Sequence, residues 1–216
     1  MPNVTSRVNG KICMVKNHSV QNAEIAGLTL KNHWEYAYRH AYDVIILVEP
    51  WESSKWGLLP TLAQILERYE TVFSIGSDVI ITNPEIPMEK YFSTEHGAVV
   101  SREETGWSPI NNDTLIVHNN PKGREYLAYL IAQAPTYNHP WLHQQLTVEL
   151  MRDRPGLVVA KPIQSIPLLD SPAKWKEGDF CLHFLSSGYP VSKTECVRKF
   201  LTTGEVTWHP QRNHRK

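Results

Sequence analysis

The chain has 216 residues, and its 22 Lys+Arg are balanced by 22 Asp+Glu, giving a formal net charge of zero. That length is enough for one α/β domain with a real core, and 41% hydrophobic with 20% charged residues excludes a disordered chain. A strongly basic nucleic-acid-binding domain is excluded too, and no apolar run reaches the ~18–20 residues that span a bilayer. The start, MPNVTSRVNGKICMV, has no signal-peptide pattern. A soluble, cytoplasmic domain with no membrane partner is the expectation. Cys13, Cys181 and Cys196 are widely spaced without a CxxC pair, so they are expected to be reduced and structural.

In chain order, Lys11 to Val15 (KICMV) predicts a buried strand, followed by the polar KNHSVQN and a helix from about Asn22 to His40. Asp43 to Val48 (DVIILV) predicts a second strand, bounded by Glu49-Pro50. Trp56 to Tyr69 carries apolar residues at helical spacing, with Pro60 in the first turn. Thr71 to Ile75 predicts a third strand, broken by Gly76, with the apolar pattern resuming at Val79 to Ile81. Such strand–helix alternation is the mark of a parallel α/β sheet. Strands are expected at Gly97 to Ser101 and Thr114 to Val117, then helices from Pro121 to about Gln133 and from Pro140 through WLHQQLTVELM. Short strand pieces follow Gly156, the last being Phe180 to Leu185. Residues 1–206 read as a single domain and 207–216 as a polar, basic tail.

Four segments carry candidate chemistry. In SIGSDVIITNP, Asp78 falls just past a buried strand, where open α/β sheets gather ligands. It can hold a hard cation against phosphate oxygens, or simply close a turn. His183 interrupts the apolar FCLHFL; it is either a hydrogen-bonded core residue or a ligand, and imidazole suits Mn better than Mg. Asn111, Asn112 and Asp113 precede a strand and can bind hydroxyls or form an Asx turn. Trp141, Gln144 and Gln145 begin a helix whose amides can face a polyol or solvent. His139 and His143, one helical turn apart, read as a weaker metal pair or as solvent-facing residues. P-loop, GxSxG and dinucleotide fingerprints are absent.

Taken in order, these segments resemble the α-galactosyl-, α-mannosyl- and xylosyltransferase family of fungal mannan and plant xyloglucan synthesis (galactosyltransferase family 34). YAYRHAYDV looks like the family's Tyr-rich helix end, WGLLPTLAQIL its Trp-initiated helix, and GSDVIITNP its Asp-x-Asp strand end. NNDTLIVHN, WLHQQ and LHFLSSG match three later motifs, so the likeness runs from about Lys11 to Gly188. The resemblance implies a GT-A type single domain, a Rossmann-like mixed sheet flanked by helices. It implies a retaining transferase that moves a sugar from a nucleotide-diphosphate sugar, first of all a UDP-sugar, to an acceptor hydroxyl. The acceptor would be a glycan or a small molecule.

By the same resemblance Asp78 and His183 would hold a divalent metal, Mn or Mg; with Gly76 in place of the family's first Asp, Ser77 would contribute instead, through water or ribose. Val15, Lys16 and Asn17, the loop after the first strand, would lie along base and ribose. Asn111, Asp113 and Gln144 would contact the donor sugar and acceptor, with Asp113 and Gln144 as catalytic candidates. The sequence departs from the family in three places: Gly76 replaces the first metal-binding Asp, Leu58 replaces a helix lysine (with Lys55 nearby), and Asp113 replaces a glycine. The family's membrane anchor is missing, which points to a bacterial or viral member working in the cytoplasm, the host's if viral. Two other functions fit the sequence. A DNA-modifying glycosyltransferase acting on a hydroxylated base would use Lys174-Trp175-Lys176 and the Arg212 to Lys216 tail on phosphates. A non-catalytic nucleotide-sugar or glycan-binding domain would keep the fold and lose the chemistry.

Overall fold

A computed structural model describes residues 11–49, 56–103, 108–140, 142–166, 174–185 and 192–206. Lys55, Trp141, the Ser186 to Gly188 end of the late strand motif, and the 207–216 tail lie outside the described residues.

The elements run β1 (Ile12–Ser19), α1 (Ala23–Arg39), β2 (Asp43–Glu49), α2 (Leu58–Leu66), β3 (Thr71–Gly76), β4 (Val79–Ile81), β5 (Ala98–Arg102) and β6 (Ile110–His118). They continue with α3 (Pro121–Gln133), α4 (Leu142–Asp153), β7 (Val158–Lys161), β8 (Gln164–Ser165), β9 (Cys181–His183) and α5 (Lys193–Thr203). Six strands form one sheet in the order β2-β1-β3-β6-β5-β7, and β4-β9-β8 form a second, smaller sheet. β1 pairs in parallel with β2 and β3, as the strand–helix alternation predicts. β6 then enters antiparallel between β3 and β5, so the sheet is mixed.

The strands alternate apolar residues between two helical layers, because successive side chains leave a strand on opposite faces. Cys13, Val15, Val72, Val100, Leu115 and Val117 pack with α2, α3 and α4. Met14, Phe73, Ile75, Val99 and Ile116 pack against α1, β4 and β9 on the other side. The α3 layer depends on two glycines. A Cβ on Gly123 would lie 2.0 Å from the His118 carbonyl oxygen, and one on Gly97 would lie 2.3 Å from the Gly123 nitrogen. Only hydrogen fits where helix and sheet backbones meet this closely. Asn120 caps α3 there, its side-chain oxygen accepting from Gly123 N at 2.8 Å, with Pro121 opening the helix.

Several expectations need correction. Lys16 to Ser19 continue β1 instead of forming a polar loop, because all four pair with β2. Asn111, Asn112 and Asp113 lie inside β6 rather than before it. Val79 to Ile81 leave the main sheet and pair with β9. α5 has no counterpart among the predicted elements; it is capped by Ser192 and ends at the left-handed Gly204. No helix among the described residues is long and apolar enough to cross a membrane.

Candidate functional site

β1 and β3 end where β6 begins, so the first residues of β6 meet the last of β3 at one edge of the main sheet. The β3–β6 ladder pairs Ile75 with Thr114, and its next step sets Gly76 opposite Asp113. A Cβ on Gly76 would lie 3.1 Å from Asp78 Oδ1 and 3.2 Å from Asp113 Cβ. A side chain at position 76 would therefore crowd Asp113 and Asp78, which would have to give by a few tenths of an ångström.

Asp78 stands in the turn between β3 and β4. Its carbonyl accepts from Phe184 N at 3.0 Å, tying the turn to the end of β9. That register brings His183 alongside, paired with Val79. His183 Nε2 lies 3.2 Å from Asp113 Oδ2 and 3.7 Å from Asp78 Oδ2. Single ligand atoms from Asp78, Asp113 and His183 all lie within 4.8 Å of one another, the one such cluster of three among the described residues. Two carboxylates and an imidazole are a donor set suited to Mn2+ and accepted by other divalent ions. Metal–oxygen and metal–nitrogen bonds of about 2.0–2.2 Å would close this spacing with small side-chain movements. The residues fit a divalent cation.

Electrostatics agree with that donor set. Burial pushes the Asp78 carboxyl up, but His183 and then Lys193 outweigh it and hold it below its ordinary range. Burial likewise opposes charge on His183, yet Asp78 and Asp113 raise its pKa to about 10. Its Nδ1 faces the Gln164 amide at 3.0 Å, and the other end of that amide meets Thr114 Oγ1 at 3.1 Å. An amide turned over about its last torsion offers either NH2 to a bare Nδ1 or oxygen to an Nδ1–H, so Gln164 can fix the ring with Nε2 free for a metal.

Lys193 lies at the first turn of α5, where a cation opposes the helix dipole. Its ammonium is held there by Asp78 Oδ2 at 2.6 Å. No local signal in the sequence marks Lys193 or Gln164; both reach the site across long stretches of chain.

The remaining candidates are placed as follows. Gln144 in α4 accepts from Asn112 N at 3.3 Å, and Asn111 Oδ1 accepts from Asp113 N at 2.8 Å, so α4 and the Asx turn brace the strand carrying Asp113. Asn17 Nδ2 donates to Ser74 Oγ at 2.8 Å, beside Gly76 in the β1–β3 register. Ser77 is buried, and its carbonyl accepts from Thr29 Oγ1 at 2.8 Å. Val15 is fully buried in the core. His143 is buried beside Trp56 rather than facing solvent.

Lys16 is buried too. Its ammonium donates to Thr29 Oγ1 at 2.6 Å and to His33 Nδ1 at 3.1 Å. His33 Nε2 donates in turn to the Val79 carbonyl at 2.7 Å, leaving Nδ1 as the acceptor. Lys16 thereby braces the turn that carries Asp78. Burial lowers its pKa from 10.5 to about 7, with Asp78 opposing. The unfolded chain then binds the extra proton between those values, so stability should rise as pH climbs above 7. Between pH 6.5 and 9 the native chain should gain about 2 kcal/mol relative to Lys16→Met in urea unfolding. Parallel pH profiles for the two proteins would refute this role.

No protein-family model matches the sequence, and neither does any curated protein. Solved structures do resemble the fold. A glycosyltransferase involved in glycosylation of the major capsid of PBCV-1 superposes with TM-score 0.66 at 16% identity, covering 89% of this chain and 98% of that one. A Drosophila β1,4-galactosyltransferase 7 mutant, in complex with manganese, UDP-Gal and xylobiose, gives 0.53 at 16% identity, covering 80% and 70%. The galactosyltransferase LgtC, in complex with donor and acceptor sugar analogs, gives 0.52 at 9% identity, covering 90% and 96%. The α/β architecture built here, a mixed sheet flanked by helices, is the GT-A glycosyltransferase fold.

Proposed function

We propose that the chain is a metal-assisted, retaining glycosyltransferase that moves a sugar from a nucleotide-diphosphate sugar, with UDP-sugars the first donors to test. The observation that carries the reading is the convergence of Asp78, Asp113 and His183 at the sheet edge of a glycosyltransferase fold. These three side chains would hold the cation, with Gln164 orienting the His183 ring. A divalent ion held there would supply positive charge to the departing diphosphate, as a Lewis acid.

The chain's own residues supply the rest. Lys193 would turn from Asp78 to a phosphate oxygen, adding a second cation against the charge that develops on the leaving group. Asn17 and Ser77 flank the same strand ends and would line the ribose, while Gln144 and Asn111 hold Asp113 in place. Asp113 belongs with the metal ligands in this arrangement, so its role is binding rather than attack. Transfer breaks the bond from the anomeric carbon to the diphosphate oxygen and forms one to the acceptor oxygen. The acceptor's hydroxyl proton leaves with the diphosphate, so atoms and charge balance without another reactant.

The test is a donor screen. Purified protein with Mn2+ and UDP-, GDP- or ADP-sugars should release nucleoside diphosphate from one donor, slowly even without acceptor. Asp78→Ala and His183→Ala should each lower that release at least about a hundredfold. Nucleotide binding without release from any donor would replace this reading with a non-catalytic binding domain. Neither binding nor release would end it.

A further inference from the structure

A cleft of about 470 Å3 opens beside the metal-ligand cluster. Among the described residues its charged lining is lopsided: Lys90, Arg102, Lys174 and Lys176 face it, against the carboxylate of Asp179. That carboxylate is already engaged, since Asp179 Oδ2 accepts from Ser165 Oγ and Lys176 N, each at 2.8 Å. Among the described residues no carboxylate pairs with Lys90, Arg102 or Lys176. Among the described residues the Arg102 guanidinium donates to the Ala160 carbonyl, at 3.4 Å. In a chain of zero net charge, this concentration of cations around one concavity calls for an anion.

Topology says which substrate the anion belongs to. β5 and β7 end at the sheet edge where β6 begins, so the cleft and the cluster share that edge. Gln164 lines the cleft and contacts His183, joining the two sites through one side chain. In the strand order, β1 and β5–β7 lie on opposite flanks of the β3–β6 junction that carries the ligands. A nucleotide over β1 therefore leaves the cleft on the acceptor's side.

We infer that the acceptor is an acidic saccharide, its carboxylate or phosphate group held in this cleft by Lys90, Arg102 and Lys176. The inference rests on the transferase reading above. Charge-assisted hydrogen bonds from Arg and Lys are the strong and selective contacts for both acid groups. The apolar walls, including Tyr91 and Phe180, and the limited volume suit sugar rings better than the long track of a duplex backbone.

The experiment measures binding to the full chain by calorimetry at low and high salt. The probes are trigalacturonate, glucose 6-phosphate, neutral maltotriose and a short DNA duplex, and Mn2+ binding is measured on the same samples. At least one acidic sugar should bind about tenfold or more tightly than maltotriose and weaken as salt rises. Lys90→Glu with Arg102→Glu should lose that preference, and the milder Lys90→Gln with Lys176→Gln should reduce it. Whichever acid binds identifies the group as carboxylate or phosphate. Equal binding of maltotriose, or an acid preference untouched by all four substitutions, overturns the proposal. So does tighter binding of the duplex that the same variants abolish, which would assign the cleft to nucleic acid. If Mn2+ binds and the acidic sugars do not, the cleft inference alone fails; if Mn2+ does not bind, the metal-site reading fails independently.

Discussion

The double exchange Gly76→Asp with Asp113→Gly is expected to bind Mn2+ within about tenfold of the natural chain, whereas Asp113→Gly alone should lose about a hundredfold or more. The expected effect is steric and electrostatic together. Positions 76 and 113 face each other across the β3–β6 ladder, and their Cβ atoms would stand 3.2 Å apart if both existed. Both can carry a side chain only if the strands give by a few tenths of an ångström. Gly76 does not occupy the left-handed region, so its backbone accepts an L side chain once space is made. Glycine at 113 removes the crowding altogether, whereas alanine keeps the Cβ that stands 3.2 Å away.

The single variant Gly76→Asp brings a third carboxylate against Asp78 and Asp113. Crowding and like charge should destabilise the metal-free protein by about 2 kcal/mol, with Mn2+ restoring part of the loss. Calorimetric Mn2+ titration and thermal unfolding of the four proteins form one cycle. A double variant that binds no better than Asp113→Gly would show that Asp113 is not standing in for a carboxylate at position 76.

That pairing also marks where the sequence stops being legible. The parallel β1–β2–β3 unit and helices α1 to α4 can be read from periodicity, because each is settled by residues within one element or its neighbours. Asp78 and His183 can be singled out because a polar residue ending or interrupting an apolar strand is a local anomaly. The partnership of Asp113 with them is set by antiparallel register between β3 and β6, a contact that no local pattern encodes. Gly76 looks like a loss when only its own segment is read, and the ladder reveals the carboxylate opposite it. The loop placed at Val15 to Asn17 fails for the converse reason. Lys16 is a polar residue inside a buried strand, tolerated because Thr29 and His33 satisfy its ammonium from α1. Lys193 meets Asp78 across 115 residues of chain, beyond the reach of any spacing argument.

Replacing Lys193 should move metal binding and turnover in opposite directions. The ammonium sits 2.6 Å from Asp78 Oδ2, an oxygen that a cation in the proposed site would use. A positive charge there both occupies a ligand atom and repels the incoming ion. In Lys193→Gln that competitor is gone, so Mn2+ affinity should rise about tenfold. Donor turnover should move the other way, falling about a hundredfold, because the displaced lysine no longer meets the charge forming on the diphosphate. Lys193→Arg should keep part of the turnover and part of the competition. A purely structural role for the ion pair would weaken the α5 contact and depress metal binding and turnover together. Tighter Mn2+ binding with unchanged turnover would leave Lys193 as a placeholder for the metal and remove it from the phosphate site. Only the split, tighter metal with slower transfer, fits a lysine that guards the carboxylate until the metal arrives and then serves the leaving group.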